Sequence, residues 1–275
     1  MSEVLTSLDG DGICTITVNR PEALNAINGV TWPQLDKAVR DAALDPGVRV
    51  VVMTGAGRAF SAGGDIKSFG TLDPNDAIAQ KWAGTPVWGE IEIRTDLVDR
   101  GSDAVRLMHA MPKPTIAMWH GAAAGMGAAY ALACDFRIAS DAAFMATAYA
   151  RIGLPGDGGI TYYLHHLVGP TKARELMWLG DRVDAAELLR LGIVSKVVPE
   201  GELMQETMAL ARRLAAGSPV ATRLIKQNLL AAETESVETV IDKESYGMAR
   251  AGRTEDFREA LSAMAQKRPP VFKGI

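Results

Sequence analysis

KPTIAMWHGAAAGMGAAYALACDFRIAS, residues 113 to 140, reads in one pass as a strand, a glycine-rich turn, a helix and a second strand. PTIAMWHG (114 to 121) is almost continuously apolar, which predicts a strand covered on both faces rather than a half-exposed one. GMGAAYALACD (125 to 135) predicts a packed helix after the turn, and FRIAS (136 to 140) a strand after the helix. The same order stands upstream. ICTITV (13 to 18) has the β-branched alternation of a strand and ends at the turn-forming Asn19-Arg20-Pro21-Glu22. A helix then begins near Val30, carries Pro33 in its first turn and closes at Asp45-Pro46-Gly47, before the apolar run VRVVVMTG (48 to 55). Strands alternating with helices predict an α/β fold.

From about residue 200 the strand signals stop. ELMQETMALARRLAA, then SPVATRLIKQNLLAAE with Ser218 as N-cap and Pro219 at the first helical position, then TEDFREALSAMAQKR started by Thr254, all predict helices. The chain therefore divides into a core of residues 1–200 and a helical region of residues 201–275, the latter suited to packing on a neighbour. Residues 70 to 105, with Trp82, Pro86 and Trp88, predict an irregular segment that could act as a substrate-side lid.

The composition narrows the function classes. A chain of 275 residues with 48% hydrophobic and 23% charged residues has the balance of a globular protein with a sizeable core. A net charge of −4 offers no basic field for nucleic acid or an anionic membrane. MSEVLTSLDG lacks a basic and then apolar leader, no run approaches the roughly 20 apolar residues of a membrane span, and a cytoplasmic location is expected. The two cysteines, Cys14 and Cys134, have neither metal-ligand spacing nor a disulfide framework and read as buried thiols, so no metal is expected.

Two turns carry the chemical signal. Ala59-Phe60-Ser61-Ala62-Gly63-Gly64-Asp65-Ile66 follows the second apolar strand through GAGR, and its small residues let free amides approach an oxyanion closely. The second turn, Gly121 to Gly127, opens an apolar helix whose unpaired N–H groups point at whatever sits before it. A dinucleotide site does not fit, because Gly125-Met126-Gly127 is followed by Ala128, Ala129 and Tyr130 with no third glycine and no suitably placed acid. Nor does GAGRAFSAGG end in the Gly-Lys-Ser/Thr of a phosphate loop.

Taken together, ITVNRPEALNAIN (16 to 28), VRVVVMTGAGRAFSAGGDI (48 to 66), residues 113 to 140, IGLPGDGGITYYLHHLVGPTKARELMWLGDRVDAAELLRLGIVSKVVP (152 to 199) and TEDFREALSAMAQKRPPVFKG (254 to 274) resemble the crotonase superfamily, the enoyl-CoA hydratase/isomerase family, in order and spacing. The resemblance implies a crotonase-like ββα superhelix with a C-terminal helical trimerisation region. It also implies a coenzyme A thioester substrate, no separate cofactor, no metal, and a homotrimer or a dimer of trimers. It places the oxyanion hole on the backbone amides of Gly64 and Met126, and coenzyme A contacts at Arg20, Ala62, Asp65, Ile66 and Gly125. For Asp65, bracing of the first turn is the alternative.

The departure from the hydratase pattern is chemical. Family hydratases carry two glutamates, and these positions fall here on Ala129 and on Ala148 or Tyr149. None of these is a carboxylate. What remains is Asp157, in Ile152-Gly153-Leu154-Pro155-Gly156-Asp157-Gly158-Gly159. That loop resembles the one in family members that use a single aspartate, including ring-opening isomerases of phenylacetate breakdown and 4-chlorobenzoyl-CoA dehalogenase. One carboxylate suits a proton shuttle between two carbons of an enoyl-CoA through a dienolate. It could also attack carbon as a nucleophile, although the tryptophan and histidine that assist the dehalogenase fall here on Tyr149 and about Ser102. Three readings stay open: an Asp157-dependent enoyl-CoA isomerase with or without hydratase activity, an Asp157-dependent hydrolase or dehalogenase, and a non-catalytic acyl-CoA-binding protein. His109, His120, His165 and His166 show no metal or triad spacing.

Overall fold

The computed structural model describes residues 2–68, 80, 84 and 91–275. The main sheet has six strands in the order β1 (Val4–Leu8), β2 (Ile13–Val18), β3 (Val50–Gly55), β5 (Thr115–Trp119), β7 (Phe136–Ser140) and β10 (Lys196–Val198). Only β1 runs antiparallel to its neighbour; the pairings from β2 to β10 are all parallel. A second sheet stacks the short strands β4 (Ala59–Ser61), β6 (Ala122–Ala124), β8 (Phe144–Ala146) and β9 (Val183–Asp184).

The apolar runs become the central strands because both faces of the main sheet are covered. Every residue of β3 is buried. Val51 and Met53 enter a large cluster with Leu35, Trp119 and Tyr130, while Val50 and Val52 point the other way to Ile116, Ile138, Leu203 and Ala211. That period of two on a doubly covered strand favours apolar residues on both faces, and the one polar side chain, Thr54, is buried with its hydroxyl donating to the Met118 carbonyl at 3.0 Å. The first face is covered by α1 (Thr31–Leu44) and by α4 (Met126–Ala133), all eight residues of which are buried. The second is covered by α7 (Leu203–Ala215), so the first helix after residue 200 is part of the core packing.

Residues 91–105 depart from the expected irregular segment. They form α2 (Ile91–Gly101) and the first residues of α3 (Asp103–Ala110). Ile93, Val105 and Met108 are buried against the core, and that burial outweighs the weak helical periodicity of a stretch with few apolar residues. Of the rest of the expected lid, residues 70–79, 81–83 and 85–90 lie outside the described residues.

The later helices are α5 (Ile160–Leu179), α6 (Ala185–Arg190), α8 (Pro219–Ala232), α9 (Val237–Ala251) and α10 (Glu255–Ala265). Ser218 caps α8 by accepting from the Ala221 amide, and Thr254 caps α10 by accepting from that of Phe257, as their sequence positions predict. No described helix is long and apolar enough to cross a membrane.

Candidate active site

The two turns meet. β4 and β6 pair in parallel, and a methyl group on Gly63 would lie 2.5 Å from the Ala124 carbonyl oxygen and 3.3 Å from the Met126 nitrogen. Gly63 also holds φ +88°, so both its shape and its backbone conformation require glycine. At the residue after Met126, a methyl group on Gly127 would come within 2.4 Å of the Ser61 carbonyl oxygen, which keeps the start of α4 tight against β4.

This contact leaves two amides facing outward. Ile27 donates to the Gly63 carbonyl at 2.7 Å and accepts from the Asp65 amide at 2.8 Å. In such a bridge the peptide groups alternate in direction, so the Gly64 N–H points away from Ile27. Met126 is the first residue of α4, where an N–H has no partner within the helix. Among the described residues, neither amide donates to a protein acceptor.

Asp157 reaches the same place from the loop before α5. Glycines at positive φ surround it: Gly156 at +119°, Gly158 at +58° and Gly159 at +76°. A methyl group on Gly158 would meet Met126 Sδ at 2.7 Å and Ala129 Cβ at 2.9 Å, so the loop rests directly on α4. Ala129 is thereby explained: it is fully buried beneath the Asp157 loop, where a small side chain is needed.

A cavity of about 230 Å³ joins these groups, lined by Gly64 and Met126, by Asp157, and by Ala62, Ile66 and Gly125 of the turns. Trp32, Leu97, Thr147 and Tyr149 complete much of its wall. Burial raises the pKa of Asp157 above the ordinary carboxylate value, and a hydrogen bond from the Tyr149 hydroxyl to Oδ1, at 2.5 Å, partly opposes that rise. Tyr149 itself is pushed well above the normal phenol range, by burial first and by the neighbouring carboxylate second.

Arg20 and Asp65 do not line this cavity. The Arg20 guanidinium pairs with Asp65 Oδ2 at 3.0 Å and with Glu3 at 3.3 Å, and donates to the Ala26 carbonyl at 2.6 Å, bracing the first turn from behind. The histidines lie elsewhere. His109 pairs with Glu233 at 3.1 Å, His166 bonds the Tyr162 carbonyl, and His120 sits 3.5 Å from the Thr54 hydroxyl with its basicity lowered by burial. Among the described residues no group of three or more His, Cys, Asp or Glu side chains is placed to hold a metal ion.

Sequence reasoning passed over Tyr149 and Leu97 as site residues. Position 149 was visible as the place of an absent glutamate, but its contact with Asp157 depends on how two loops fold together. Leu97 lies on a helix that the sequence signals only faintly.

Two apposed turns with amides free of protein acceptors thus share one cavity with a half-buried carboxylate. The family model described as enoyl-CoA hydratase/isomerase matches residues 9–275, and the chain belongs to that family, within the crotonase superfamily. It is 34% identical over 274 residues to 1,2-epoxyphenylacetyl-CoA isomerase of Escherichia coli K12, with 100% of each chain covered. It is 32% identical over 270 residues to the short-chain-enoyl-CoA hydratase of Clostridium acetobutylicum, covering 98% of this chain and 96% of that one. The crystal structure of enoyl-CoA hydratase from Bacillus anthracis superposes with a TM-score of 0.89 at 27% identity, over 99% of this chain and 100% of the other. The protein is an enzyme of this family and has the crotonase fold.

Proposed function

We propose that the enzyme shifts a double bond within an enoyl-CoA, with Asp157 carrying the proton. The observation that carries this reading is that Asp157 supplies the one carboxylate, among the described residues, in the cavity that also holds Gly64 and Met126. Removing a proton from the carbon next to a thioester carbonyl places negative charge on the carbonyl oxygen. The amides of Gly64 and Met126 would stabilise that charge by about 3 kcal/mol each. Protonated Asp157 then returns the proton two carbons along the dienolate, acting first as base and then as acid. A carboxylate whose proton affinity is raised by burial is a stronger base than an exposed one.

The isomerisation balances without a metal or a separate cofactor; coenzyme A enters only as the substrate's carrier. Ala62, Ile66 and Gly125 contact the thioester end, and Arg20 and Asp65 support the turn that presents Gly64. The name of the Escherichia coli relative supports an isomerase reading. Hydration of a 2-enoyl-CoA is the second reading, favoured by the name of the Clostridium relative and opposed by Ala129 and by Ala148 or Tyr149 at the glutamate positions. The enzyme works in the cytoplasm, without nucleic acid or membrane, as a homotrimer or dimer of trimers joined through its C-terminal helices.

Incubation with a 3-enoyl-CoA in deuterated water is expected to yield the 2-enoyl-CoA with exchanged deuterium. Asp157→Asn is expected to slow this by about 10²–10⁴-fold. Unchanged turnover in the variant overturns the assignment, and formation of a 3-hydroxyacyl-CoA by the wild type favours the hydratase reading.

A further inference from the structure

We propose that Tyr149 positions Asp157, its hydroxyl holding Oδ1 so that Oδ2 is the oxygen that receives the substrate proton. The proposal rests on the reading of Asp157 as the proton carrier. Three observations support it.

The first is the contact itself. Tyr149 Oη donates to Asp157 Oδ1 at 2.5 Å, while Oδ2 accepts no hydrogen bond among the described residues. A short bond from a neutral donor to a carboxylate is among the stronger hydrogen bonds a protein makes. It removes one oxygen from reaction and stops the carboxylate from rotating. The phenol stays protonated because burial and the adjacent carboxylate both oppose its ionisation, so it remains a donor across the working pH range.

The second is that Tyr149 is held on every side. It is only 6% exposed. A methyl group on Gly125 would stand 3.6 Å from both Cζ and Oη, which sets the end of the ring over the turn that presents Met126. Its carbonyl accepts from the amides of Ile152 and Leu154, both at 3.0 Å, anchoring the loop that leads to Asp157. A donor locked by its surroundings holds its acceptor more rigidly than a mobile one.

The third is strain next door. Ala148 has φ +61°, a conformation that non-glycine residues adopt at a cost of roughly 1 kcal/mol or more. It lines the site cavity and directs the chain so that the following side chain reaches Asp157. Proton transfer then runs from the substrate carbon to Oδ2, the C–H electron pair passing into the dienolate; the carboxyl proton exchanges with solvent while it is held on Oδ2, and a proton then leaves Oδ2 for the distal carbon. Tyr149 keeps its own proton throughout.

The test titrates the Asp157 carboxyl by carbon-13 NMR in protein labelled at aspartate, the signal being assigned by its loss in Asp157→Asn. The hydrogen bond favours the ionised carboxylate, so Tyr149→Phe leaves the effect of burial unopposed and the carboxyl keeps its proton to higher pH. An upward shift of about one unit is expected, with the acidic limb of kcat for a 3-enoyl-CoA moving equally. kcat should fall about tenfold with KM unchanged, because the substrate's own contacts are intact. Replacing Tyr149 with 3-fluorotyrosine, a stronger donor, should move the titration downward. An Asp157 titration unchanged in Tyr149→Phe overturns the proposal. Turnover retained in Asp157→Asn instead breaks the proton-carrier reading, while the titration still reports whether Tyr149 governs the carboxyl.

Discussion

At the scale of single residues, the site uses backbone where an ordinary polar cluster would use side chains. The N–H of Met126 has no protein acceptor among the described residues because it opens a helix, and Gly125 adopts φ +48° just before it. Proline is tolerated at a first helical position, which permits a clean deletion of that donor. Met126→Pro is expected to lower kcat by about 10²–10³-fold while the fold persists, whereas Met126→Leu, which keeps the amide, stays near wild type. Steady-state kinetics and circular dichroism on the pair check this. Equal losses in both variants would assign the effect to the side chain and remove Met126 from the oxyanion hole.

At the scale of elements, the decisive feature is how closely α4 seats against β4. Gly127 and Ser61 are so near that any Cβ at 127 must push the helix away, since one obstacle is a backbone carbonyl. Gly127→Ala is expected to destabilise the protein by about 1–3 kcal/mol in denaturant unfolding, as overpacking does. It should also lower kcat, because moving α4 separates the Met126 amide from the Gly64 amide and from the Asp157 loop that rests on Ala129. Wild-type stability together with a wild-type rate would show that the contact is relieved locally. The element least legible in the sequence is α2: its residues 91–101 read as irregular, yet Ile93 is fully buried and Leu97 and Gly101 line the site cavity.

For the whole molecule, the C-terminal helices leave apolar side chains in solvent. Ile225 and Leu229, one turn apart on α8, are 59% and 64% exposed, and Ile241 and Met248 on α9 are 52% and 76% exposed. Exposed apolar side chains on neighbouring helices are the surface that the proposed trimer would cover. Leu229→Glu, which sets a charge within that face, is expected to reduce the sedimenting mass from an oligomer to a monomer. A wild-type chain that sediments as a monomer would refute association through these helices.

The sequence alone determined the order of the four central strands β2, β3, β5 and β7 with the helices α1 and α4, the caps at Ser218 and Thr254, and the two glycine turns. These depend on local spacing and on residue types whose conformational limits act over a few neighbours. Only the tertiary structure decided that Arg20 is spent on Asp65 rather than facing the cavity, that Ala129 lies beneath Gly158, and that Tyr149 reaches Asp157. Each of these joins residues on separate loops, and a contact across separate loops is set by how sheets and helices pack, which no local pattern encodes.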